Sequence, residues 1–321
     1  MKTVVTTGGK GFIGSHFVEM LLEKGYRVID FDKITYASNL DFKPKSPNYL
    51  FYQQDVKDLK SLPACDYIIH FAAESHVDRS IQDSDPFINS NILATHNLLQ
   101  ILKNNKLKNY ELGWEYKEPI LVHISTDEVF GDIETGFFKE EDVHNPSNPY
   151  AATKSAAECL VKAWGRTYNL NYRITRTTNN YGERQHAEKL IPRCIMACLK
   201  GEKIPIHGTG EYIRNFIYVK DNCEAILKVM ENGKPRETYN ISSDEEYSVL
   251  QIVEMILSKF GKSVNQNTVE FIQNRSGQDW RYGLDSVKIQ RELGWKQTNK
   301  LSKVLDKMIE DYESRFDAKL I

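Results

Sequence analysis

A turn of glycines constrains this chain more than any other stretch. TTGGKGFIG, residues 6–14, places Gly8, Gly11 and Gly14, with Phe12 and Ile13 among them, after a strand-like run at Thr3–Thr7. Apolar residues at helical spacing follow, namely Ile13, Phe17, Met20 and Leu21. Glycine lets the backbone turn tightly and approach a pyrophosphate, and the helix N-terminus behind it offers unpaired N–H groups and a favourable dipole. The first half of the chain repeats this alternation. Arg27–Phe31, Tyr67–Phe71 and Ile120–Ser125 read as strands, and Asn89–Leu102 and Tyr150–Tyr168 as long helices. The pattern predicts an α/β fold, a doubly wound parallel sheet of the Rossmann kind with helices on both faces.

The second half is less periodic, and Gly, Pro and charged residues are frequent from Gly182 to Gly210. Ile213–Val219 reads as a strand, and Asn222–Met230, Ser248–Phe260 and Ser286–Leu293 as helices. Because Ile213–Met230 looks like another strand–helix unit of the large sheet, the predicted Rossmann domain is residues 1–180 plus about 212–235. About 181–211 plus 236–321 then form a smaller mixed α/β lobe that binds substrate.

Asp32 ends the second strand, eighteen residues after Gly14. A carboxylate there accepts hydrogen bonds from ribose hydroxyls and repels a 2'-phosphate, which favours NAD over NADP. The competing reading is a glycine turn followed by a surface aspartate. Asp55 follows a third short run and either meets the adenine edge or caps a turn. The small residues of His70-Phe-Ala-Ala-Glu74 let backbone lie along a cofactor.

Tyr150 and Lys154 are four residues apart and share one face of a helix. A phenol beside an ammonium takes a proton from an alcohol near neutral pH. Lys154 is expected to hold the nicotinamide ribose and to lower the Tyr150 pKa by its charge. Thr126, at a strand end, can hydrogen-bond the same alcohol oxygen, and ligands of such sheets bind at the carboxyl ends of the strands. Asp127 and Glu128 add a second acid/base system that plain alcohol oxidation does not need. Within a strand they would face opposite ways, so both meet one ligand only if the chain has turned, as Gly131 allows. A solvated acidic loop is the competing reading.

Bulk properties exclude several classes. The net charge of −2 argues against nucleic acid or an anionic membrane as partner. The five cysteines form no CxxC pair and no zinc set, so reduced thiols, a cytoplasmic compartment and no metal are expected. The N-terminus runs straight into a strand, which predicts no signal peptide, and no apolar run is long enough to span a bilayer.

Taken together, the motifs resemble the nucleotide-sugar 4,6-dehydratases of the extended short-chain dehydrogenase/reductase group, typified by dTDP-glucose 4,6-dehydratase. TTGGKGFIGSH, DKITYASNL, HFAAESHVDRSI, STDEVFG, NPYAATKSAAE, TRTTNNYGERQHAEKLIP, GTGEYIRNFIYVKD and NRSGQDWRY occur in that order over nearly the whole chain. STDEVFG with YAATK is the specific part. The resemblance implies NAD-dependent 4,6-dehydration of a nucleoside-diphosphate glucose: C4 oxidation, loss of water across C5–C6, and hydride return to C6. In it Tyr150 takes the O4 proton, Glu128 takes the C5 proton, and protonated Asp127 donates to the leaving C6 hydroxyl. It also implies that Asp32, Lys33 and Thr35 hold the adenosine ribose and that Asp55 and Val56 meet the adenine. Ala72, Ala73 and Ser75 would line the dinucleotide, Asn179 the sugar diphosphate, and Lys189 and Leu190 the nucleotide. Arg214 and Arg275 would neutralise the pyrophosphate through bidentate hydrogen bonds, although without the resemblance they read as surface arginines. A homodimer is implied, pairing the helices Asn89–Leu102 and Tyr150–Tyr168 in a four-helix bundle.

The departures lie at the nucleotide end. His207 stands where the bacterial dTDP-glucose enzymes commonly carry Tyr, and Ser276, Gln278 and Trp280 replace Pro, His and Arg. His207 is similar to the residue in UDP-glucose 4,6-dehydratases of the rhamnose pathway, so dTDP-glucose and UDP-glucose both stand as substrates, and an N-acetylated hexose stays open. Two rival readings remain. A sister 4-epimerase or UDP-glucuronate decarboxylase shares the glycine turn and the Tyr/Lys pair but usually lacks the Asp-Glu pair. A non-catalytic NAD-binding regulatory protein tends to lose Tyr or Lys.

Overall fold

Val4 and Val5 point to opposite faces of one strand and enter different apolar layers. A strand buried on both faces needs helices on both sides, and the chain supplies them. The computed structural model describes residues 1–112, 117–274 and 276–318. Its strands are β1 (Thr3–Thr7), β2 (Arg27–Asp32), β3 (Tyr49–Gln53), β4 (Tyr67–His70), β5 (Ile120–Thr126) and β6 (Tyr172–Thr177). They continue with β7 (Asn179–Tyr181), β8 (Ile204–His207), β9 (Ile213–Tyr218), β10 (Thr238–Ile241), β11 (Glu246–Ser248) and β12 (Val269–Ile272). The helices are α1 (Phe12–Glu23), α2 (Val77–Gln82), α3 (Asp85–Phe87), α4 (Ala94–Glu111) and α5 (Pro149–Tyr168). After them come α6 (Leu190–Lys200), α7 (Val219–Asn232), α8 (Val249–Lys259), α9 (Val287–Leu293) and α10 (Leu301–Asp317).

The large sheet has seven strands in the order β10-β6-β5-β4-β1-β2-β3, every neighbouring pair parallel. The winding reverses between β1 and β4, and a crevice opens there at the carboxyl ends. Leu98 and Leu102 of α4 and Val161 of α5 pack on Val5, Ile68 and Leu121. On the other face Phe17 and Leu21 of α1 and Ile226 of α7 pack with Val4, Ile69 and Val122. That second layer does not stop at the sheet. Ile195 of α6, Ile252 of α8 and Met308 of α10 belong to the same continuous apolar cluster.

The doubly wound sheet matches expectation, but one strand does not. Ile213–Tyr218 joins no strand of the large sheet; it is the centre of a three-stranded sheet, β11-β9-β7, and β8 pairs with β12. The seventh strand is β10, a four-residue run. A strand–helix alternation tells where a helix packs, not which strand its predecessor pairs with. Helix α7 does cover the large sheet, packed against β6 and β10, while its preceding strand turns away. The expected helix Asn89–Leu102 also differs: a π-helical turn at Ile88–Leu93 leads into α4, which runs on to Glu111. Among the described residues no helix is long and apolar enough to cross a membrane.

Candidate active site

Gly8 has φ +75°, and a Cβ there would lie 2.7 Å from the Ala72 backbone nitrogen. A Cβ on Gly14 would lie 2.2 Å from the Gly8 carbonyl oxygen. The turn after β1 thus packs tightly on the segment after β4 and on the start of α1. Helix α1 begins after Gly11 with no side-chain cap and no acidic residue in its first turn, so its leading N–H groups remain available to an anion. Asp30 braces this turn. Its buried carboxylate accepts from Gly9 N at 3.0 Å, Thr6 Oγ1 at 2.9 Å and Tyr49 Oη at 3.0 Å. Burial pushes its pKa up to about 6. Sequence reasoning missed Asp30, although a carboxylate inside a buried strand, two residues before Asp32, was the available signal.

A cavity of about 300 Å³ runs along this crevice. Asp32, Lys33, Thr35, Asp55 and Val56 line one end, and Gly8, Gly11, Phe12, Ile13 and Gly14 its floor. Ala72, Ala73 and Ser75 follow, and Thr126, Asp127, Glu128, Tyr150, Lys154, Asn179 and Lys189 line the other end. Asp32 accepts from the backbone N–H groups of Lys10 and Ile34 at 3.0 and 2.8 Å, and Asp55 caps a short turn by accepting from Lys57 N at 2.9 Å. The π-helical turn turns Asn91 inward, where its amide brackets Glu74, accepting from N at 2.9 Å and donating to O at 3.0 Å. This holds the segment along which the cavity runs.

At the chemical end, Thr126 begins a short helical turn, Asp127–Phe130, that resolves the opposite-face problem. Its hydroxyl donates to Asp127 Oδ1 at 3.0 Å and accepts from Glu128 N at 3.3 Å. Gly131, at φ +75°, ends the turn. The two carboxyls now differ. Asp127 is buried, its Oδ2 has no hydrogen-bond partner among the described residues, and burial followed by the nearby Glu128 pushes its pKa up to about 7. Glu128 is half-buried and accepts from Asn148 Nδ2 at 3.1 Å.

Tyr150 and Lys154 project from one face of α5. Lys154 Nζ donates to the Ile124 carbonyl at 2.6 Å, and burial lowers its pKa to about 8. The expected lowering of Tyr150 by Lys154 is not what the structure shows. Burial, and next the charge of Glu128, push the phenol above its ordinary value, while Thr126 opposes this. The ammonium is turned to the Ile124 carbonyl of the strand.

A bridge of side chains links three segments at the cavity rim. Arg79 of α2 lies 3.7 Å from the Tyr36 ring centroid and 3.7 Å from Glu188, and Lys189 donates to the Ser75 carbonyl at 3.0 Å.

Four expected residues lie outside the lining of this cavity. Leu190 packs against the apolar core at the start of α6. His207 Nδ1 meets the Gln273 carbonyl at 3.2 Å, and Gln278 donates to the Asp279 carbonyl at 3.4 Å. The Arg214 guanidinium is engaged by the Ile213, Asp279 and Trp280 carbonyls. Those carbonyls take both Nη1 donors and one Nη2 donor of Arg214. Arg275 lies outside the described residues.

The family model for GDP-mannose 4,6 dehydratase matches residues 5–308. A dTDP-glucose 4,6-dehydratase of Haemophilus influenzae is 39% identical over 92% of this chain and 93% of its own. The chain belongs to the nucleotide-sugar 4,6-dehydratase family. Within this family of extended short-chain dehydrogenases/reductases, the low-salt glycan biosynthesis protein Agl12 of Haloferax volcanii is 42% identical over 91% of this chain and 92% of its own. The fold superposes on a dTDP-glucose 4,6-dehydratase of Streptomyces venezuelae solved with NAD and TYD, with TM-score 0.89, 36% identity and 98% of each chain covered. NAD is the cofactor to which the cradle here corresponds. The uncapped start of α1, the close glycine turn and the carboxylate ending β2 fit a dinucleotide without a 2'-phosphate.

Proposed function

We propose that this protein is an NAD-dependent dTDP-glucose 4,6-dehydratase that yields the 4-keto-6-deoxy sugar, a precursor of deoxysugars such as rhamnose. One observation carries the reading: a buried carboxyl on Asp127, held only by Thr126 among the described residues, beside a Glu128 bonded to Asn148, on the same cavity as Tyr150 and Lys154. Bound NAD supplies a hydride acceptor at C4, a hydride donor at C6, and positive charge near the phenol. Tyr150 accepts the O4 proton as C4 is oxidised, and Thr126 positions that oxygen. The 4-ketone acidifies C5, Glu128 removes its proton, and Asp127 protonates the C6 hydroxyl so that water leaves; a proton returns to C5 when C6 receives the hydride. Lys154 orients the cofactor ribose. Asp32, Lys33, Thr35, Asp55 and Val56 hold the adenosine, and Asn179 and Lys189 the sugar nucleotide.

The nucleotide-binding lobe is about residues 181–211 plus 236–321 in this proposal, with β9 added through its pairing with β7 and β11, and a homodimer forms through the outer faces of α4 and α5. Leu107 and Tyr110 of α4 are 45% and 85% exposed, which suits such a contact. Sedimentation tests the dimer.

Incubation with dTDP-glucose without added reductant should give the 4-keto-6-deoxy product by NMR, carrying solvent deuterium at C5 in D2O. No product from any nucleotide hexose would refute the proposal. UDP-glucose is the second substrate candidate, favoured by His207, and a competition assay ranks the two. A 4-epimerase would instead return the C4 epimer and tolerate Asp127→Asn.

A further inference from the structure

Asn148 has two partners that pull on opposite ends of its amide. It precedes Pro149 at the start of α5 with extended backbone, φ −142° and ψ 162°, and its Oδ1 accepts from Ala151 N at 2.9 Å. This is a helix cap, and Pro at the first helical position suits it. Because a backbone N–H can only donate, the cap fixes which way round the amide lies. The NH2 end therefore points away from the helix and reaches Glu128 Oε2 at 3.1 Å. The side chain is buried, at 6% exposure, so this donor is not traded with water.

Asn, Asp and Ser cap a helix about equally well. Asn alone among them brings an N–H donor with the reach to bridge to a second segment. Asp would set a like charge against Glu128, and the Ser hydroxyl is one bond shorter.

We propose that Asn148 is a positioning residue for the elimination half of the reaction. It ties the base Glu128 to the N-terminus of the helix that carries Tyr150 and Lys154. The O4 acceptor and the C5 acceptor then keep one separation. The proposal rests on the dehydratase reading.

Asn148→Ser and Asn148→Asp both retain a cap and test it. Thermal midpoints of the two variants should stay near the parent's. Formation of reduced cofactor absorbance, which follows C4 oxidation, should be unchanged. Solvent deuterium uptake at C5 should slow about tenfold in the Ser variant, as expected for loss of a hydrogen bond to a charged group. The Asp variant should be slower still, with KM unchanged in both. Parent-like C5 exchange in both variants would overturn the proposal. Equal slowing of C4 oxidation and C5 exchange would also overturn it, by reducing Asn148 to a cap. A parent that makes no 4-keto product would instead overturn the dehydratase reading and this proposal with it.

Discussion

Asp127 and Glu128 are chain neighbours in different surroundings, and that difference has measurable consequences. Asp127 must hold a proton to act as an acid, so kcat should fall as pH rises through about 7. The same residue couples pH to stability. Its folded pKa of about 7 exceeds the ordinary value of 3.8, so the folded chain binds more protons between these values. Its contribution is therefore present below about pH 4 and is lost progressively as pH rises to about 7. Asp127→Asn should lack this decline, which urea unfolding at about pH 5 and about pH 8 would reveal. In the same variant kcat should drop by about 100-fold or more, the scale of a lost general acid. Substrate recovered from D2O should still carry deuterium at C5, because Glu128 is untouched. Loss of that exchange would reassign the two carboxyls.

Two elements depend on single contacts. The turn between β1 and α1 requires Gly8, whose left-handed φ and contact with Ala72 leave no space for a methyl group. Gly8→Ala should cost roughly 1–3 kcal/mol and strip copurifying NAD, read by unfolding and by nucleotide released on denaturation. Helix α5 is tied to β6 by Glu158 and Arg176, both wholly buried, with Nε–Oε1 and Nη2–Oε2 contacts of 2.9 and 2.8 Å. Burial works against the Glu158 charge, but Arg176 outweighs it and holds the pKa at about 2. That stabilisation is complete above the ordinary value of 4.5 and is lost as pH falls towards 2. Glu158→Gln should cost about 3–5 kcal/mol, because it leaves Arg176 buried without a counter-charge. These elements also show what was readable beforehand. The glycine turn, the strands of the first half and the Tyr150/Lys154 pair were legible because each is a local pattern with a period or a fixed offset. Asp30 also carried a signal, a carboxylate within a buried strand, that was passed over. Asn148 and Asn91 were not legible, since each acts through a partner distant in sequence or through an irregular turn. The partners of β9 were invisible for the same reason, as were the carbonyls that engage Arg214. Helix α10 was legible in principle, because Leu301, Val304, Leu305, Met308, Ile309 and Tyr312 recur at helical spacing and are buried.

At the scale of the whole molecule, the apolar layer behind α1 and α7 passes without a break into α6, α8 and α10. Two lobes that share a core should melt together, so calorimetry should show one transition; two separated transitions would mean that the lobes have independent cores. The shared core also bears on how a redox-neutral cycle is completed. A hydride leaves one carbon of the sugar and returns to another two bonds away, and the cofactor must wait between the two events. A protein hinged between its lobes could open during that wait and let the ketone intermediate escape or be quenched. An apolar layer continuous behind both halves should hold them as a fixed jig, which leaves the admission and release of substrate to side chains and loops at the cavity rim.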